Sequence, residues 1–419
     1  MVQENSKVNN PNLEGYNVVR RYWDWFYNPA PDRQTFIAPR PKCSGVIGDD
    51  GRFNVWSVAV AAQGIVDGAR VYPQELGPLI DPTVKALYQF KNNNLRGYSV
   101  SSNGDGDIYY DDDAQVAFAF VAAYEVTQNK EYLDSARELI RYLIGGWNND
   151  GNAKVKGGIL WHRDKPYISA ISNTEVALSC LRIAKFIPNE KDYFVNWAAK
   201  IIDWVIDNLL DKEDYLVTDG IDKNSTPGEP NRMKWTYNTG TTLNATALLY
   251  EYTHDEKWAK LSHDLVAAAV SRDRSLFCRD YIEQDRRYWR DPSYFIQLLL
   301  EGLADYLLIF GDKAPEDNVK KIKEETFRHL DFFRKYNYDP KDGLYFQTFE
   351  PYRISPDHHK LYCEQFGDQK GFDPNNEERS QEGDGPLENK PLVKTLIGSG
   401  AAARIWFQGA RILPELHYG

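Results

Sequence analysis

The sequence predicts an all-α protein, an (α/α)6 barrel built as a six-hairpin toroid, and three observations carry that expectation. Gly and Pro are concentrated between long segments, and those segments show helical periodicity instead of the alternation of strands. They fall into two kinds, one amphipathic and charged, the other apolar nearly all round and rich in small residues. Helices of the second kind have no polar face and belong inside. The two kinds alternate along the chain, outer then inner, for six rounds.

In chain order the outer segments are 14–28, 79–94, 130–144, 190–209, 256–272 and 316–336. Segment 130–144 shows the pattern: Leu133, Ala136, Leu139, Ile140 and Leu143 form one stripe, with Asp134, Arg137, Glu138 and Arg141 opposite. The inner segments are 54–67, 112–126, 171–186, 239–252, 293–310 and 394–412. Their starts lie mostly one helical hairpin apart, as stacked supersecondary units require. The last interval is longer because of a polar loop insert at about 338–392. Its stretch 367–391, rich in Gly, Pro and charge, reads as a loop and not as a separate domain, so 1–419 is expected to form a single domain.

Composition narrows the function. The 419 residues are 42% apolar and 14% aromatic, ample for a large core. A net charge of -11 argues against nucleic acid, whose phosphates would repel it. No apolar run reaches the ~18–20 residues of a membrane span, and no signal peptide is visible at the start, which leaves the compartment open. Cys43, Cys180, Cys278 and Cys363 are scattered, without a C-x-x-C pair, so disulfides are possible but their pairing cannot be deduced. His162, His358 and His359 make no zinc spacing and read as surface or loop histidines; no metal and no cofactor is expected. Of the glycosylation sequons at Asn224 and Asn244, the second falls inside an inner segment.

In a closed ring of hairpins the inner helices run in one direction and their N-termini share one mouth. The residues there are aromatic, amide and acidic: Asn54 and Trp56; Tyr109-Tyr110-Asp111-Asp112-Asp113; Ser172 and Asn173; Trp235-Thr236-Tyr237-Asn238. An acidic triplet before an apolar run reads first as a helix N-terminus, with carboxylates facing the positive end of the dipole. The sharper reading is a catalytic carboxyl pair, Asp111 and Asp112. Aromatic faces beside amides and acids suit sugars, and two carboxyls suit glycoside hydrolysis. Neighbours at a helix start diverge by roughly 100°, which favours the short separation of retaining enzymes. Two like charges cannot both ionise freely, so one group keeps a proton as acid while the helix N-terminus ionises its partner.

Five motifs in order sharpen this: Tyr110-Asp111-Asp112-Asp113-Ala114, Gly157-Gly158-Ile159-Leu160-Trp161, Ala170-Ile171-Ser172-Asn173, Val217-Thr218-Asp219-Gly220-Ile221 and Trp235-Thr236-Tyr237-Asn238-Thr239-Gly240-Thr241. With them the chain resembles glycoside hydrolase family 76, the endo-acting α-1,6-mannanases, over roughly residues 50–310. The resemblance implies a retaining endo-hydrolase of the α-1,6-linked mannan backbone, with Asp111 as nucleophile and Asp112 as general acid/base. It implies no cofactor, a polysaccharide partner (α-mannan or manno-oligosaccharides), a monomer, and a secreted or cell-wall or periplasmic location. Substrate contacts are expected from Tyr110, Asn54, Trp56, Trp161, Asn173, Asp219, Trp235, Tyr237 and Asn238. Each has a structural alternative: the tryptophans as core residues, Asn173 and Asn238 as caps, Asp219 as a turn residue. Where members of the family often follow the Asp pair with a neutral residue and then an aromatic, this chain has Asp113 and Gln115. A transglycosidase on the same site and a non-catalytic mannan-binding protein are the alternatives. A metal-dependent prenyl cyclase would need D-D-x-x-D, and position 115 is Gln.

Overall fold

A computed structural model describes residues 10–417. In chain order the helices are α1 (Pro11–Phe26), α2 (Val55–Val71), α3 (Pro73–Leu76), α4 (Ile80–Tyr88), α5 (Tyr110–Thr127), α6 (Lys130–Ile144), α7 (Ala170–Ala184), α8 (Lys191–Asn208), α9 (Thr236–Thr253), α10 (Glu256–Ala269), α11 (Ser293–Phe310), α12 (Glu316–Asn337), α13 (Pro356–Phe366) and α14 (Leu396–Ile412). The strands are short antiparallel pairs: β1 (Tyr27–Asn28) with β2 (Thr35–Phe36), β3 (Tyr167–Ser169) with β6 (Gly220–Asp222), β4 (Leu210–Asp211) with β5 (Leu216–Val217), and β7 (Tyr338–Asp339) with β8 (Leu344–Tyr345).

Each expected outer and inner segment is a helix, and the differences lie at the ends. The helix α4 stops at Tyr88 instead of reaching 94. Asn92 turns the chain there, its Oδ1 accepting from the N–H groups of Asn94 and Leu95, a local bond that competes with helix. In the other direction, α5 starts at Tyr110 and α9 at Thr236, ahead of the expected 112 and 239. Asp111 and Asp112 therefore sit inside the first turn of α5.

The chain forms two compact units. One takes the residues up to Ala86, Phe277–Gln297 and those from Lys323 onward. In it α14 packs on both α1 and α2. The buried face of α14 carries Arg404 and Gln408, and both donate to Asp67 Oδ2 of α2, at 2.8 and 3.0 Å. The insert is more than loop. Ser355 caps α13 by accepting from His358 N–H, with Pro356 at the first position. Tyr362 and Phe366 of α13 then pack, edge-on or tilted, against Tyr336 and Phe332 of α12. Residues 367–391 form only a 3-10 turn at Leu387–Asn389. Buried Arg379 holds them, donating to the carbonyls of Arg353, Ile354 and Asn375.

The other unit takes Leu87–Leu276 and Leu298–Ile322. Here α5 and α9 both pack on α7, and α6, α8 and α10 back the three in turn. The stripe foreseen on α6, Leu133 to Leu143, is buried. On α9, Gly240 allows a close approach to the Leu298–Phe310 part of α11: a Cβ there would lie 2.6 Å from Leu299 Cα. Gly240→Ala should therefore force the two backbones apart and destabilise by about 1–3 kcal/mol, read as a lower denaturation midpoint; an unchanged midpoint would mean the contact is loose.

One device recurs. Ribbons β4–β5 and β7–β8 each carry two aspartates three residues apart, and a lysine ahead of the next inner helix grips both. Lys234 lies 2.7 Å from Asp211 and 2.5 Å from Asp214, and Lys394 lies 2.8 Å from Asp339 and 3.0 Å from Asp342. Each pairing fixes the residue that opens the helix, Trp235 or Thr395. The stretch Ser293–Lys313 is, by length and composition, apolar enough to cross a membrane, which the count of uninterrupted runs missed because Glu301 and Asp305 interrupt it. Its apolar window is 67% buried, as an inner helix of the fold requires.

Candidate active site

The site lies in the second unit and grows from a ribbon, not from the helices alone. Ile168 of β3 faces Ile221 of β6, and the Ala170 N–H then donates to the Asp219 carbonyl at 2.7 Å, so the opening of α7 is tied to the loop carrying Asp219. On the other side Trp161 N–H donates to the Tyr167 carbonyl (2.8 Å), and Tyr110 N–H to the Trp161 carbonyl (2.9 Å). Backbone bonds thus run unbroken from the start of α5 to Asp219. Two glycines make the path possible: Gly157 and Gly158 have φ of +75° and +82°, and a Cβ on Gly158 would meet Ile168 at 2.6 Å and Trp204 at 2.8 Å. Asn173 completes it from the first turn of α7. Its side chain accepts from Ile159 N–H (2.7 Å) and donates to the carbonyls of Ile159 (3.0 Å) and Ser169 (2.7 Å).

Asp111 and Asp112 lie half-buried in the first turn of α5, behind an aromatic first residue, Tyr109, that makes no side-chain cap. Trp161 donates its indole N–H to Asp111 Oδ2 at 3.3 Å. Desolvation pushes the Asp111 carboxyl up to about 6; the Trp161 bond and the N–H groups at the helix start oppose the rise, and the charge of Asp219 adds to it. Asp112 is driven well above the usual carboxylate range, first by desolvation and then by the charges of Asp111, Asp113 and Asp107. Asp113 is fully buried, and its Oδ2 accepts from Tyr98 N–H at 2.9 Å. The third acid of the triplet is therefore a structural anchor that also crowds Asp112.

Asp219, half-buried, collects the neighbouring donors: Tyr167 hydroxyl at 2.5 Å, Trp235 indole N–H at 3.1 Å and Asn231 amide at 3.4 Å. Asp111 and Asp219 are thus each held by an indole, and the charge of Asp219 acts on Asp111. Tyr109 meets the Trp161 ring edge-on at 4.9 Å, and Tyr167 does so at 6.3 Å. Lys165 donates to the Tyr109 hydroxyl at 2.8 Å. The acids here are Asp111 and Asp112 at the opening of α5 and Asp219 on the loop tied to the opening of α7, framed by aromatic rings.

Not every expected residue points into this frame. Asp111, Asp112, Trp161, Asp219 and Trp235 are brought together, and Tyr237 is half-buried in the first turn of α9. Tyr110 is instead buried against Tyr142 of α6, ring centroids 5.7 Å apart. Asn173 is buried with its amide engaged by backbone, as described, which makes it a scaffold residue. Asn238 is buried too, and neither its amide oxygen nor its nitrogen has a hydrogen-bond partner. In the first unit, Asn54 is the N-cap of α2, accepting from Ser57 N–H at 2.9 Å. Trp56 meets Tyr294 edge-on at 5.3 Å, packed on Val60, Ile397 and Ala401.

His162 corrects the sequence reading, because it is buried and not a surface histidine. Its Nδ1 accepts from Asp164 N–H (3.0 Å), so Nε2 carries the proton and donates to Asp107 at 2.8 Å. With Tyr109 packed on it at 4.6 Å, it fixes the turn behind Trp161. Tyr167 and Lys165 also escaped the sequence reading. Tyr167 sits on β3 and Lys165 in the bend before it, neither with a helical period, and only their place just before Ala170-Ile171-Ser172-Asn173 could have flagged them. All four cysteines are free thiols, and buried Asn244 makes its sequon unusable in the folded chain.

An all-α chain that sets paired acids at one helix opening, inside a frame of tryptophan and tyrosine, has the make-up of a glycoside hydrolase. The comparisons agree. The profile of Glycosyl hydrolase family 76 matches residues 18–326, and the chain belongs to that family. It is 32% identical to the meiotically up-regulated gene 191 protein of Schizosaccharomyces pombe, over 96% of this chain and 92% of the relative. It is 27% identical to mannan endo-1,6-alpha-mannosidase DCW1 of Candida albicans, over 54% of this chain and 52% of that one. Among solved structures, the GH76A alpha-1,6-mannanase of Salegentibacter sp. HEL1_6 shares the fold with a TM-score of 0.71 at 17% identity, covering 96% of this chain and all (100%) of that one. A variant of that enzyme with two consecutive aspartates replaced by asparagine is described as inactive and in complex with alpha-1,6-mannotriose. The (α/α)6 fold class expected from the hairpin order stands with these relatives.

Proposed function

We propose that the protein is a retaining endo-acting hydrolase of α-1,6-linked mannan, with Asp111 as nucleophile and Asp112 as general acid/base. The observation that carries this reading is the pair of adjacent carboxyls in the first turn of α5, one of them held by the Trp161 indole N–H beside the ring of Tyr109. Burial pushes Asp111 up to about 6 while the Trp161 indole N–H opposes the rise, and Asp112 is driven well above the usual carboxylate range, first by burial and then by its acidic neighbours. One group is thus prepared to attack and the other to protonate. Asp112 gives its proton to the glycosidic oxygen as the bond to the anomeric carbon breaks, and Asp111 attacks that carbon to form a mannosyl ester. Water then attacks the same carbon, gives its proton to Asp112 and releases Asp111. Asp219 supports sugar binding by presenting a carboxylate already oriented by Tyr167 and Trp235. The Salegentibacter variant with two adjacent aspartates replaced, described as inactive, is in keeping with a need for two adjacent acids. On this reading 1–419 acts as one catalytic domain, as a monomer, in a secreted, cell-wall or periplasmic location.

The test is incubation with linear α-1,6-mannan and with its α-1,2-branched form, reading product sizes and the anomer first released. Internal cuts with retained configuration are expected. Products longer than the substrate in the presence of an acceptor sugar would reassign the site to transglycosylation. Mannan bound but never cut would leave a binding protein.

A further inference from the structure

Beneath the acid pair runs a second polar layer that the proposed chemistry does not use. Gln115 lies one turn below Asp111 on α5, fully buried, and its Nε2 donates to Glu175 Oε1 of α7 at 2.6 Å. Glu175 is itself 1% exposed, and its Oε2 has no hydrogen-bond partner. Such a group is poorly suited to be an anion. A carboxylate sealed from water with one amide donor loses far more solvation than that bond returns, so the group keeps its proton. The charges acting on it lead the same way on balance: burial, with Asp111 and Asp112 of α5, pushes the carboxyl well up, and Arg182 of its own helix pulls it down. That guanidinium is engaged by Glu301 of α11, at 3.0 Å. On α9, Thr241 bonds Thr174, the neighbour of Glu175, at 2.7 Å, so α7 is fixed on that side by an uncharged contact.

We propose that Glu175 is a positioning residue of the catalytic pair: a buried, neutral carboxyl that holds the first turn of α5 in register through Gln115 and keeps a further charge away from Asp111. The inference rests on the mannanase reading for its catalytic meaning, while the protonation of Glu175 stands apart from it. Glu175→Gln preserves an acceptor for Gln115 and a neutral group at the second position. It should keep kcat within about threefold, with the acid limb of the kcat/KM profile unmoved. Glu175→Ala should lower kcat by about 10- to 100-fold at nearly unchanged KM, the size of loss that follows a small misplacement of reacting groups.

If Glu175→Ala does not fold, Gln115→Met, which removes the donor at similar volume, should lower kcat in the same way. An infrared difference spectrum of wild type against Glu175→Gln should show the C=O band of a protonated carboxyl at neutral pH. A glutamine variant as impaired as the alanine one, with its acid limb moved to lower pH, would overturn the proposal by making Glu175 an anion; so would absence of the band. Wild-type protein that shows the band but leaves mannan intact would instead sink the mannanase reading, and the positioning role with it.

Discussion

Asp111→Asn should abolish cleavage of α-1,6-mannan without unfolding the chain. The asparagine oxygen can still accept the Trp161 indole N–H, and the substitution removes a buried-side charge that desolvation disfavours, so the fold has no reason to suffer. What is lost is the attacking oxygen, and with it the covalent route. Asp112→Asn should cost about 100- to 10,000-fold, the usual span for a lost general acid. An aryl mannoside, whose leaving group needs no proton, separates the two: it should restore the first step in Asp112→Asn and not in Asp111→Asn. The wild-type pH profile follows from the same groups. Asp111 must be ionised, so kcat/KM should fall as pH drops through about 6. Asp112 must be protonated, so activity should fall again at higher pH, because burial first and then the charges of Asp111, Asp113 and Asp107 hold its proton on. Full cleavage by either asparagine variant would remove the assignment.

How much of this was legible in the sequence depends on whether a local signal existed. Helix order was legible, because an apolar inner helix such as α14 and a striped outer helix such as α6 each carry a periodic signature. The acid pair was legible because Tyr110-Asp111-Asp112-Asp113 breaks that signature at a helix start. What stayed hidden depends on partners distant in sequence. Nothing near Tyr110 says that its ring packs on Tyr142, or that Tyr109, one residue earlier, is the one beside Trp161. Asn173 looks the same as a sugar ligand or as a clamp on Ile159, and only the ribbon decides. The helix α13 was missed because Ser355-Pro356, a good start, stands inside a stretch whose overall polarity reads as loop; the aromatic rings of α12 supply the packing that lets it form. Gln115 departs from the aromatic that the resemblance led one to expect, and its reason lies on another helix, at Glu175.

Asp67→Ala should be the most damaging single change to stability outside the site, at about 3–5 kcal/mol. Asp67 and Arg404 are 5% and 2% exposed, and their 2.8 Å contact joins α2 to α14. Three donors converge on the one carboxylate: Arg404 and Gln408 on Oδ2, and Arg70 on Oδ1 at 2.8 Å. Truncation removes the carboxylate that faces the buried Arg404 guanidinium, and breaking one side of a buried ion pair costs far more than the pair contributes net. Small residues already bring the two helices close, Gly400 of α14 lying so near α2 that a Cβ would sit 2.8 Å from Ala61 Cα, so the structure cannot easily part to admit water. The double variant Asp67→Leu with Arg404→Met discriminates the causes. If desolvated charge is the problem, removing both ends should recover most of the loss, giving a coupling energy that denaturant midpoints of the two single variants and the double variant measure directly. If the double variant is as unstable as Asp67→Ala alone, the loss comes from packing at the α2–α14 contact and not from the broken ion pair.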